Sequence, residues 1–163
     1  MERLDIKKDL YARLDATIGP DCIVSSNTST IPIRLLVEDM PSACRERFAI
    51  THYFNPVRYM RLVEIVSGAE TNADVVPTMS EFLEDTLGKG VVYAKDTPSF
   101  IGNRIGVFAF MNVIQHALAM DLPIEAVDKI TGPATGKPKT ATFRTGDLAG
   151  LDTILHVTKN NYE

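Results

Sequence analysis

Phe48-Ala-Ile-Thr-His-Tyr-Phe-Asn-Pro56 is a run of β-branched and aromatic residues closed by a proline, so it predicts a strand with His52 near its carboxyl end. A second such run follows, Leu62-Val-Glu-Ile-Val66, in which Glu64 has apolar neighbours on both faces. A carboxylate in that setting is costly unless it has a partner. Histidine both takes and gives a proton near neutral pH, and a carboxylate on its far nitrogen would fix its tautomer and stabilise the imidazolium. His52 and Glu64 are therefore a candidate proton-transfer pair if their strands pair or lie adjacent. The alternative is a core histidine bonded to backbone, beside a strand glutamate that faces solvent.

On the amino-terminal side, Cys22-Ile-Val-Ser-Ser26 is a short β run ending in Asn27-Thr-Ser-Thr30, whose side chains favour turns and helix caps. The apolar stretch from Ile31 to Val37 reads as a helix, so Ser29 is either its cap or a polar group held at a strand end. Further upstream, Ile6, Leu10, Leu14 and Ile18 recur every fourth residue and predict an amphipathic helix closed by Gly19-Pro20. On the carboxyl-terminal side, a helix from about Asn72 places Val76, Met79, Leu83 and Leu87 on one face and stops at Gly88; a strand follows from Gly90 to Lys95. This alternation predicts an α/β sheet, in which ligands collect at the carboxyl ends of strands.

The pattern changes at Asp96-Thr-Pro98, where Asp96-Thr-Pro-Ser reads as the cap of the next helix. From Phe100 onward the patterns are helical: a long apolar stretch to Met120, a short segment from Pro123 to Ile130, a loop from Thr131 to Lys139, and a last helix near Asp147. A domain boundary near residue 97 follows, α/β before it and all-α after it. Asn103, Arg104, Asn112, Gln115 and His116 interrupt the apolar stretch, which is too broken to span a bilayer needing about 20 residues and predicts a buried helix instead.

The 163 residues are 45% hydrophobic, enough for a core, and the net charge of -4 with scattered basic residues excludes an electrostatic footprint for nucleic acid or anionic membrane. Cys22 and Cys44 lack CxxC spacing, and no secretory leader is evident, which predicts free thiols in a reducing, cytoplasmic setting, Cys22 as a small buried hydrophobe. His116 and His156 lie among aliphatic residues and read as structural or surface histidines. No grouping has metal-ligand spacing, and GxGxxG is absent.

With Ser26-Asn-Thr-Ser-Thr30, His52-Tyr-Phe-Asn-Pro-Val57, Leu62-Val-Glu-Ile-Val66, Asp96-Thr-Pro-Ser-Phe-Ile-Gly-Asn-Arg104 and Gly150-Leu-Asp152 in order, the sequence resembles the L-3-hydroxyacyl-CoA dehydrogenases. Leu87-Gly-Lys-Gly-Val-Val and the run from Gly136 to Thr145 look most like the large bacterial β-oxidation members. The resemblance implies NAD-dependent oxidation of an (S)-3-hydroxyacyl-CoA to the 3-ketoacyl-CoA, with an acyl-CoA substrate and a homodimer formed through the helical domain. It implies that His52 is the general base and Glu64 its orienting partner, that Ser29 bonds the substrate oxygen and borders the nicotinamide, and that Asn103 holds the substrate. Asn55, Glu2 and Lys7 match cofactor contacts.

By the same resemblance, residues 1–97 are the second half of a Rossmann-like NAD-binding domain whose first βαβ unit is missing. Residues 98–163 are then the start of a helical domain like that of 6-phosphogluconate dehydrogenase. The chain is thus expected to be an internal fragment, inactive alone, with an exposed sheet edge prone to self-association. Ser99 stands where such proteins commonly have glycine, and Pro138-Lys-Thr-Ala where many have Pro-Met-Gly-Pro, which bears on acyl-chain preference. Two other readings stay open: a dehydrogenase of another 3-hydroxy acid, carnitine-like or a sugar acid, and a non-catalytic oligomerisation module.

Overall fold

The computed structural model describes residues 3–152, 154 and 155, and divides into two compact units, Met1–Ile101 and Gly102–Glu163. The first is built on a four-stranded sheet in chain order: β1 (Val24–Ser26), β2 (Phe48–Tyr53), β3 (Leu62–Ser67) and β4 (Gly90–Ala94). β1 runs parallel to β2, β3 antiparallel to β2, and β4 parallel to β3.

Successive side chains on a strand serve opposite faces, and here both faces are covered. Phe48, Ile50 and Val66 pack with residues of α1 (Leu4–Asp15), α2 (Ile33–Leu36) and α3 (Ser42–Arg45), among them Tyr11, Ile33, Leu36 and Cys44. On the other face Val63 and Ile65 pack with Leu83, which lies in the π-helical segment Phe82–Thr86 that continues α4 (Val75–Glu81). Burial on both sides is why β2 and β3 read as near-continuous apolar runs rather than alternating ones.

Three expectations need correction in this unit. The inward stripe of α1 is Leu4, Tyr11 and Leu14, while Ile6 and Leu10 are exposed; the Tyr11 hydroxyl donates to Ser26 Oγ at 2.7 Å and brings that face inward. Cys22 is exposed, because β1 begins only at Val24. Leu87 is also exposed, since the wider π-helical turn rotates the residues after Leu83 off the α-helical phase. Gly88, at φ 64°, closes this helix in the left-handed conformation that glycine adopts without strain.

The second unit contains α5 (Gly102–Ala119), α6 (Ile124–Ile130), a 3-10 turn (Pro133–Thr135) and α7 (Phe143–Ala149). The buried helix expected between Phe100 and Met120 is instead largely uncovered: Ala117 is the buried residue of α5, while Ile105, Phe108 and Leu118 are 62%, 72% and 77% exposed. Its apolar residues occupy more of the circumference than the short helices α6 and α7 cover. Where α7 does approach, Gly146 keeps the contact close: a Cβ there would meet the Phe110 ring at 3.2 Å, tighter than ordinary packing. No helix among the described residues is long and apolar enough to cross a membrane.

α7 starts at Phe143, earlier than the expected Asp147, because a cap arrives from α6. The Asp128 carboxylate accepts the N–H groups of Thr142, Phe143 and Arg144 at 3.1, 2.7 and 3.1 Å. These are amino-terminal donors that the helix cannot satisfy itself. Asp128→Ala is expected to lower stability by about 1–2 kcal/mol, measured by denaturant unfolding; Asp128→Asn, which keeps one acceptor oxygen, should lose less.

Candidate acid-base site

The β2–β3 register places His52 directly opposite Glu64. His52 Nδ1 lies 2.7 Å from Glu64 Oε2, with the side chains 7% and 1% exposed. With Glu64 ionised the carboxylate only accepts hydrogen bonds; Nδ1–H is then the donor and, in the neutral ring, Nε2 keeps its lone pair. The other carboxylate oxygen, Oε1, accepts the backbone N–H of Ile101 at 2.9 Å. Each oxygen therefore has its own donor, which offsets the cost of burying the group. The imidazole is flanked by Phe54, with ring centroids 4.6 Å apart at 62°, and by Phe100, 5.5 Å away at 59°. A solvent-facing Glu64 is excluded.

Because β1 and β2 are parallel, the loop after β1 leaves the sheet at the edge where β2 ends. Asn27 ties the two together: its Oδ1 accepts the Tyr53 N–H at 2.9 Å. Thr51 Oγ1 donates to Ser25 Oγ at 3.0 Å and fixes the same strand pair. Ser29 is half-buried in this loop. It does not cap α2, whose N-cap position is Pro32. The first N–H of α2, that of Ile33, is instead accepted by both oxygens of Asp96 at 3.2 Å, so Asp96 caps this earlier helix rather than the one that follows it.

The remaining expected residues are spread more widely. Asn55 is exposed just past β2, and Lys7 is half-buried on α1 one turn before Tyr11. Its neighbour Lys8 is held above the usual lysine range by hydrogen bonds to Asp39 and Glu38, both at 2.7 Å, so that charge is committed within the fold. Glu2 and His156 lie outside the described residues, and His116 is exposed in the last turn of α5. Asn103 is half-buried in the first turn of α5 and belongs to the second unit. Among the described residues no group of three or more His, Cys, Asp or Glu could hold a metal ion.

The sheet of the first unit thus brings together His52, Glu64 and the loop that carries Ser29. The sequence reading missed Asn27, Tyr11, Phe100 and Ile101. Asn27 was visible only as a turn former, and Ile101 contributes a main-chain N–H that no side-chain pattern announces.

The family model "3-hydroxyacyl-CoA dehydrogenase, NAD binding domain" matches residues 1–97, and "3-hydroxyacyl-CoA dehydrogenase, C-terminal domain" matches residues 100–163. A Bacillus subtilis protein named "Probable 3-hydroxyacyl-CoA dehydrogenase" is 45% identical over 163 residues, covering 100% of this chain and 21% of its own length. A Deinococcus radiodurans protein of the same name is 45% identical over 157 residues, covering 96% and 45%. The crystal structure of the (S)-3-hydroxybutyryl-CoA dehydrogenase PaaH1 from Ralstonia eutropha superposes with a TM-score of 0.85 at 30% identity, over 99% of this chain and 56% of that one. The chain spans less than half the length of these two curated relatives.

Proposed function

The chain belongs to the 3-hydroxyacyl-CoA dehydrogenase family, and we propose that it carries the acid-base centre for NAD-dependent oxidation of an (S)-3-hydroxyacyl-CoA to the 3-ketoacyl-CoA in fatty-acid β-oxidation. The observation that carries this reading is the buried His52–Glu64 pair, in cross-strand register and joined at 2.7 Å. His52 Nε2 removes the proton of the substrate hydroxyl, and Glu64 stabilises the imidazolium that results. NAD, when bound, supplies the hydride acceptor for C3. Ser29 bonds the substrate oxygen and borders the nicotinamide, and Asn103 holds the substrate from the helical unit. Asn55, Lys7 and Glu2 contact the cofactor.

The residues present suit part of that cofactor. The neutral hydroxyl and amide groups of the loop after β1, pinned by the Asn27–Tyr53 bond, suit a nicotinamide and its ribose. A pyrophosphate calls for a glycine-rich turn at a helix amino end, and the chain has no GxGxxG. On this reading residues 1–97 are the second half of the nucleotide-binding domain, residues 98–163 begin the helical domain, and the chain alone binds NAD weakly. The exposed Ile105, Phe108 and Leu118 of α5 support a homodimer contact on the helical unit.

The test is an assay of the whole protein with (S)- and (R)-3-hydroxybutyryl-CoA and NAD, followed by NADH absorbance. Turnover of the S isomer alone is the expected result. No NADH from (S)-3-hydroxyacyl-CoA of any chain length would remove this function.

A further inference from the structure

Immediately before the second unit the backbone takes two consecutive left-handed residues, Ser99 at φ 60° and Phe100 at φ 48°. Neither is glycine, and such residues persist only where their surroundings demand the conformation. Ser99 is 1% exposed, and its Oγ is buried without a hydrogen-bond partner, a second destabilising feature at the same position.

Both products of this turn converge on the pair. The Phe100 N–H closes the turn on the Thr97 carbonyl at 3.0 Å, and its ring stands against the imidazole. The next N–H, that of Ile101, meets Glu64 Oε1. The last torsion of a glutamate side chain is broad; a backbone donor fixed on one oxygen narrows it and so sets the angle at which the other oxygen meets His52. We propose that the left-handed Ser99–Phe100 turn is a positioning element for the acid-base pair, fixing the plane in which the Glu64 carboxylate meets His52. Its effect on turnover rests on the function proposed above; its effect on the imidazole does not.

The test replaces the Ile101 amide by an ester in the full chain, which deletes one N–H and no side chain. The readouts are the His52 Nδ1 proton resonance and, in the active protein, the separate values of kcat and KM for NAD. The resonance moves or broadens, and kcat falls about ten- to a hundred-fold while KM stays within about twofold. Ser99→Gly, which reaches the same φ freely, keeps the resonance and raises the melting temperature. Ser99→Val, which resists that φ, shifts the resonance as the ester does; if it fails to fold, the ester still carries the test. An ester variant with an unchanged resonance, or a glycine variant that loses it, overturns the proposal. A resonance that moves in a protein whose unmodified form has no dehydrogenase activity sustains the positioning role and removes the function instead.

Discussion

His52→Gln lowers kcat for 3-hydroxyacyl-CoA oxidation by about 10²–10⁴-fold, the usual contribution of a general base, and leaves thermal stability nearly unchanged. Glutamine is chosen because its amide N–H can still donate to Glu64 Oε2, so the buried carboxylate keeps both partners, while no group remains that accepts a proton near neutrality. Alanine at the same position would confuse the issue. It would remove the imidazole donor from Glu64 Oε2 and open a void between Phe54 and Phe100, and activity lost with the fold says nothing about chemistry. Steady-state NADH formation and a thermal melt, run together on the whole protein, check the prediction. A variant within tenfold of the parent activity would take His52 out of the proton-transfer role.

Both halves of this pair were legible as strand residues, but their meeting was not. Side chains alternate across a sheet, so a one-residue slip between β2 and β3 would put His52 and Glu64 on opposite faces. The pairing follows from packing that sequence does not display: Phe48, Ile50 and Val66 toward α1 and α2, Val63 and Ile65 toward Leu83. The helices failed for related reasons. In α1 the apolar period pointed to Ile6 and Leu10, whereas a hydroxyl-to-hydroxyl bond from Tyr11 decides the inward face. In α5 hydropathy correctly marked a helix, but burial also needs a neighbour to bury against, and α6 and α7 are too short to supply one. Capping showed the same limit, since Asp96 and Asp128 both serve helices distant in sequence.

Glu64→Gln separates the two roles proposed for the carboxylate, fixing the imidazole tautomer and stabilising its charge. The substitution keeps size and shape but gives the side chain one acceptor and one donor in place of two acceptors. Ile101 N–H, anchored in the backbone, takes the acceptor. The amide NH₂ is then turned toward His52 Nδ1, which must present a lone pair in return. That forces the proton onto Nε2, the nitrogen that should accept from the substrate, so the ring is held in the wrong tautomer for a base. The expected loss is about 10³–10⁴-fold in kcat, against a stability loss of only about 1–2 kcal/mol. Nitrogen-15 spectra of the imidazole read the tautomer directly, Nδ1–H in the parent and Nε2–H in the variant. Glu64→Asp is the companion: charge is kept but reach is shortened, so one carboxylate can no longer serve Ile101 and His52 together, and the tautomer should survive while turnover falls. A glutamine variant that retains Nδ1–H and turns over within tenfold of the parent would show that Glu64 acts neither through tautomer nor through charge, and would leave the pair a packing feature of the sheet.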